Sequence, residues 1–240
     1  MKHLSALGTL PVLLAALGAS SLVEARTFRW AFQGDVQTMD PHALAETMTL
    51  SFQGNIYEGL VRRDAHMKLV GALAERWVHL EPRIWRFYLR RNVRFHDGGA
   101  FQADDVKFSV ERASAKTSGM RGAASIIGSV KIVDPLTVDI VTPRPNPILP
   151  RQIELIYMMD RQWSQRHGAS EVASIGREGE SSFTHMHANG TGPFKLEDRA
   201  PGTKTVLERY RNYWGEIRGN VDKAVFTPIS NDATRVAALI

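Results

Sequence analysis

The chain has 240 residues, 43% hydrophobic and 23% charged, enough for one large domain or two small ones around a substantial core. It contains no cysteine, which excludes a disulfide framework, a thiolate zinc site, a cysteine nucleophile and a lipid carried on an N-terminal cysteine. The net charge of +5 invites an anionic partner, but no dense Lys/Arg run concentrates it, so scattered arginines account for it and no nucleic-acid partner is expected.

Residues 1–25 read as an export signal. A short basic start precedes an apolar stretch, and Val23 and Ala25 supply the small residues that favour cleavage before Arg26. The most apolar part, Val12 to Leu17, is far shorter than the ~20 residues a spanning helix needs. A periplasmic address is the expectation.

Thr27 to Phe32 alternates and predicts a strand. A loop follows with Asp40-Pro41 and a short helix, and then Leu50, Ile56, Tyr57 and Leu60 take a helix-like spacing that Gly59 would end. Lys68 to Leu80 is mixed. The clearest strand is Arg83 to Arg90, with Trp85, Phe87 and Leu89 on the inner face and Arg86, Tyr88 and Arg90 toward water. A second short strand is expected from Asn92 to Phe95.

"HDGGAFQADDVKFSVERA", His96 to Ala113, poses a choice between a metal cluster and a turn leading into a helix. Asp97-Gly98-Gly99 is turn chemistry. Val106 and Val110 have helical spacing, and Asp104 and Asp105 fall at the helix start, where carboxylates suit the dipole. The acidic residues thus have local structural work, and His96 reads as a hydrogen-bonding or packing residue.

Val130 to Pro143 predicts a hairpin around Asp134-Pro135. Prolines forbid helix until Pro150, and a helix is expected from there through the apolar Ile153 to Met159. Gly168 to Pro193 reads as loop, with room for a short helix. Another hairpin is expected around Pro201-Gly202, then a strand from Val221, then a helix capped by Asn231 or Asp232 that meets no stop signal before Ile240. That last feature reads as a fold continuing beyond the chain.

Reactive machinery is absent from the pattern. There is no nucleophile elbow, His-Glu-x-x-His, P-loop or full dinucleotide fingerprint, so no catalytic residue, cofactor or metal is assigned. His185 and His187 are the best metal candidates. In an extended segment their rings would share one side, which would suit a secreted metal-binding hydrolase as the alternative function. Glu178 and Glu180 read as solvated loop carboxylates.

"TMDPH", "IYEGLVRRD", "ALAERW", "WRFYLRRNVRFHDGGAFQADDVKFSVERA", "VDPLTVDIVTPRPNP", "NGTGPFKLEDRAPGTKTVLERYRNYWG" and "NDATRVAALI" together resemble the dipeptide-, oligopeptide- and nickel-binding solute-binding proteins of ABC importers, family 5. The pieces occur in family order and cover nearly all of the chain after residue 25. Two local departures, "EPRIW" in place of a glycine-containing turn and "VGAL" where a proline is common, lie away from the cleft; the serious one is length, since the family's contacts to peptide termini lie mostly in the second lobe.

The resemblance implies an α/β periplasmic-binding-protein type II fold, with this chain holding the first lobe and an accessory subdomain and lacking the second lobe. By similarity, residues 26–57 and 189–240 belong to the first-lobe sheet and residues 58–188 to the accessory subdomain. It implies a non-enzymatic monomer that binds a peptide or similar small solute between lobes and delivers it to permease subunits in the inner membrane. The ligand-contacting residues it suggests are Glu46, Thr47 and Met48 after the first strand, with Arg121, Tyr157 and Met159.

Overall fold

The computed structural model describes residues 26–172 and 182–238. The export-signal reading, Glu178 and Glu180, and the last two residues lie outside them. In chain order the first elements are β1 (Arg26–Phe32), α1 (Thr47–Gln53), β2 (Val61–Arg63), β3 (Leu69–Gly71), β4 (Ala74–Glu81) and β5 (Ile84–Leu89). Next come α2 (Ala103–Ala113), α3 (Arg121–Ala124), β6 (Ser129–Asp134), β7 (Thr137–Val141), a 3-10 turn at Leu149–Arg151 and α4 (Arg161–Arg166). The chain then runs through α5 (Phe183–Met186), β8 (Phe194–Ala200), β9 (Lys204–Arg209), β10 (Val221–Pro228) and α6 (Asp232–Ala237).

Two four-stranded sheets organise the molecule. One has the order β1-β10-β9-β8, with β1 parallel to β10 and Trp30 opposite Phe226. The other, β4-β5-β7-β6, is antiparallel throughout. Its inner face carries Trp85, Phe87 and Leu89, matched by Val138 and Ile140, and α2 packs on it through Val106 and Val110. The outer face is polar, where Arg86 holds Asp139 in a paired bond at 2.7 and 2.8 Å.

Local chemistry explains most elements. Gly98 takes φ +94° in the predicted turn, and Asp105 accepts from the Gln102 amide to close the start of α2. The hairpins at Asp134-Pro135 and Pro201-Gly202 form, the latter with Gly202 at φ +72°. Asn231 caps α6 by accepting from the Thr234 amide.

Other expectations need correction. The residues after Pro41 form a turn, not a short helix, because the Asp40 side chain ties down the His42 amide. Helix α1 ends at Gly54, not Gly59. Beyond Gly54 the carbonyls of Asn55 and Ile56 accept from Phe194 and Gly192, and these cross-chain bonds compete with helix. Lys68 to Leu80 resolves into β3 and β4, while Asn92 to Phe95 makes only an isolated bridge, Arg94 to Ala100.

The apolar run after Pro150 is likewise not a helix. Ile153, Ile156, Met158 and Met159 are buried, but their backbone bonds go elsewhere: the Met158 amide to the Glu58 carbonyl, the Met159 amide to Ser109 Oγ. Helix begins only where Asp160 accepts from the Trp163 amide and starts α4.

Candidate functional site

Four buried polar side chains meet beneath the turn that leads from β1 into α1. Asp40 binds Arg112 of α2 through both guanidinium nitrogens at 2.7 and 2.5 Å, and accepts from Thr184 of α5 at 2.9 Å. His42 sits against Arg112 at 3.2 Å and turns its other ring nitrogen to the Tyr157 carbonyl at 2.9 Å. All four are nearly or wholly excluded from solvent. Burial alone would raise the Asp40 carboxyl, but the bonds and charge of Arg112 override it and hold it below its ordinary value. Burial, aided by the Arg112 charge, pushes His42 down to about 4, so the ring is neutral at physiological pH.

This network fixes the chain above it. The His42 carbonyl accepts from Ser118 Oγ at 2.9 Å and from the Gly119 amide at 3.0 Å. Segment 117–121 therefore lies against segment 42–44, and a Cβ at Gly119 would stand 2.7 Å from the Ala43 carbonyl oxygen. Glu46 begins α1 by accepting from the Met48 and Thr49 amides at 2.8 and 2.7 Å. Burial pushes the Glu46 carboxyl upward, but these amide bonds outweigh it and leave the group below its usual value.

The result is a ledge of main chain and short side chains, with Arg121 at one side. Ala45, Thr47, Gly119 and Arg121 are exposed on it, while Glu46 and Met48 are half-buried. The other flank of Glu46, Thr47 and Met48 borders a groove of about 810 Å³. Its floor carries Phe28, Trp30 and Phe32 of β1, and Ile217 and Arg218 stand at its far wall.

The six residues suggested by resemblance thus fall into two groups. Glu46, Thr47 and Met48 share the ledge and groove, and Arg121 starts α3 on the segment packed beside them. They belong to the first turn of a helix and its cap, not to the expected loop. Tyr157 and Met159 lie underneath. Tyr157 is 7% exposed, gives its hydroxyl to the Leu50 carbonyl at 3.1 Å and its carbonyl to His42. Met159 is fully buried and bonded to Ser109. Sequence reasoning missed Asp40, His42 and Arg112, whose only signal was polar residues inside "TMDPH" and on the packed side of α2.

The metal alternative loses its geometric premise. His185 and His187 span the end of helix α5 rather than an extended segment. The His187 ring stacks on Phe183 with centroids 3.9 Å apart. Among the described residues no group of three or more His, Asp or Glu is placed to hold a metal ion. His96 packs edge-on against Tyr210 at 4.8 Å and bonds the Gly192 carbonyl at 3.0 Å, which ties the antiparallel sheet region to the strand-β8 region. Among the same residues no helix is long and apolar enough to cross a membrane.

The model of the bacterial extracellular solute-binding proteins, family 5 Middle, matches residues 68–240. The glutathione-binding protein GsiB of Salmonella choleraesuis is 26% identical over 243 residues, covering 99% of this chain and 44% of that protein. NikZ from Campylobacter jejuni, solved with Ni(L-His), superposes with a TM-score of 0.76 at 23% identity, over 89% of this chain and 41% of NikZ. The periplasmic binding protein DppA from Helicobacter pylori, solved with the peptide STSA, gives 0.75 at 24% identity, over 90% of this chain and 45% of DppA. The chain spans less than half the length of these relatives. Its mixed α/β architecture is that of the periplasmic binding proteins over the shared portion. With the family model matching well over half of its residues, the chain belongs to the bacterial extracellular solute-binding proteins of family 5.

Proposed function

We propose that the chain forms one wall of a solute-binding cleft in the periplasmic component of an ABC importer, for a peptide or a similar small solute handed on to inner-membrane permease subunits. The observation that carries this reading is the ledge of Ala45, Thr47, Gly119 and Arg121, exposed above the buried Asp40–His42–Arg112 network. A surface of main chain and small side chains, flanked by the Arg121 guanidinium, on a rigid base suits a ligand recognised largely by its backbone, with water filling the remainder. Relatives whose names carry glutathione and the peptide STSA point to the same ligand class.

In this reading residues 26–57 and 189–240 form the first-lobe sheet unit and residues 58–188 an accessory unit. The sheet order supports the division, since β1 pairs with β10 from the far end of the chain while β4 to β7 pair only among themselves. A partner lobe closes over the ledge, and solute shifts the open-closed equilibrium only through contacts it makes better in the closed form.

Thr47 is exposed on the ledge, so Thr47→Arg fills that surface while leaving the buried core in place. Cells carrying this change at the native locus are expected to import a labelled oligopeptide at least tenfold more slowly, with unchanged amounts of protein. Unaltered import would remove the ledge from solute binding. Hydrolysis of the peptide by the purified protein would remove the transport reading.

A further inference from the structure

Glu58 follows the turn after α1 and is 7% exposed. Its carboxylate accepts three hydrogen bonds from uncharged donors: Thr191 Oγ1 at 3.0 Å, the Tyr213 hydroxyl at 2.9 Å and Trp214 Nε1 at 2.8 Å. Two of these donors stand in the turn after β9, which continues into Ile217 and Arg218. Those two residues wall both the groove above β1 and a second concavity of about 540 Å³ over Glu58 itself. Arg90, at the end of β5, lies 4.2 Å over the Trp214 ring and donates to the Ala72 carbonyl. One carboxylate therefore gathers the segment after α1, the approach to β8 and the turn after β9.

We propose that Glu58 is a protonatable latch that positions the Tyr213–Arg218 wall of this face. The three bonds can be kept in two ways. In the charged form both oxygens accept. In the protonated form Oε2 still accepts from Thr191 and Trp214, while the proton on Oε1 is donated to the Tyr213 oxygen, whose own bond reverses. The charged form carries the cost of burial.

The charged and titratable groups around it leave that cost in place. Arg62 acts through space on Glu58 and Tyr213, and Arg90 on Tyr213, but neither donates a hydrogen bond to the carboxylate. Arg63 is bound to Glu154 at 2.9 Å, and Arg218 to Glu216 at 3.5 Å. Burial raises the Glu58 carboxyl above its ordinary 4.5, partly offset by Trp214, Tyr213, Thr191 and Arg62. A raised folded-state value means that the contribution of Glu58 to stability is greatest below 4.5 and is lost as pH rises through the folded value.

The test is the indole N–H resonance of Trp214 in the full chain, assigned by comparison with Trp214→Phe and followed from pH 8 down to the limit of the folded state. The expected result is a titration with its midpoint above 4.5 that vanishes in Glu58→Gln, whose amide reproduces the protonated pattern by donating to Tyr213. Glu58→Gln should also unfold at the same or a higher temperature than wild type at pH 7, whereas Glu58→Ala, with no acceptor left, should shift the indole resonance even at pH 7. A Trp214 resonance that ignores pH in the wild type, or titrates unchanged in Glu58→Gln, overturns the proposal.

Discussion

Arg112 illustrates what a single side chain does here. It lies in the last turn of α2, where an arginine ordinarily favours the helix dipole from the surface, yet it is 4% exposed and bonded to Asp40, a partner separated by 72 positions. Removing one member of a buried pair strands the other charge, so Arg112→Ala is expected to cost about 3–5 kcal/mol near neutral pH. The sign with pH follows from the depressed values of both partners. Asp40 contributes stability above its ordinary 3.8, lost as pH falls through its lowered folded value. His42 contributes fully above 6.5, and this is lost as pH falls toward about 4. The difference in urea midpoint between wild type and Arg112→Ala should accordingly be larger at pH 7 than at pH 4. An equal difference at both would show that packing, not charge, holds Arg112. None of this was legible in advance, because charge pairing across 72 positions leaves no local pattern, whereas the Asp105 cap three residues from Gln102 was open to inspection.

At the scale of elements, success tracked the range of the bonds. Turns built on Asp134-Pro135, Gly98 and Pro201-Gly202 depend on neighbours in sequence, and they formed where expected. The run Ile153 to Met159 looked helical because apolar residues dominate it, but its backbone is satisfied by Glu58 and Ser109, which no window of neighbours contains. The same applies to the segment after α1, whose carbonyls are taken by Gly192 and Phe194 at 2.8 and 3.1 Å. The glycines of "NGTGP" allow a close approach between two distant segments. A Cβ at Gly190 would overlap the Ile56 carbonyl oxygen, and one at Gly192 would lie 2.7 Å from the carbonyl oxygens of both Asn55 and Ile56. Gly190→Ala should therefore destabilise the protein by about 1–3 kcal/mol, the cost of forcing packed backbone apart. Gly34→Ala, where nothing lies within 4 Å, is the matched control and should stay within about 0.5 kcal/mol of wild type in the same urea titration. Equal effects at the two positions would mean that the approach of 190–192 to 55–56 is loose.

Across the whole molecule, the two sheets share one continuous core, which runs from Phe226 and Trp30 through Tyr57 to Phe87 and Ile140. The neighbourhood of the candidate ledge was suggested only by the family resemblance, which pointed to Glu46, Thr47 and Met48 at the start of α1. Its base was not, since α2, α5 and the Tyr157 segment reach it only through the fold. The groove beside it is a consequence of strand order. Among the described residues β1 is an edge strand, and its aromatic residues at 28, 30 and 32 share one face, leaving Phe28 54% and Phe32 43% exposed. Phe28 stacks on Trp30 at 5.7 Å, and Trp30 on Phe52 at 5.9 Å, so the floor is a continuous aromatic row rather than scattered apolar atoms. Such a row binds an amphipathic aromatic dye through burial of apolar area. The folded chain should enhance anilinonaphthalene sulfonate fluorescence, and the double change Phe28→Ser with Phe32→Ser should reduce that enhancement by at least half. Because both side chains project outward, circular dichroism should stay unchanged. Undiminished dye binding in a variant of intact structure would show that the aromatic row is not the apolar surface accessible in solution.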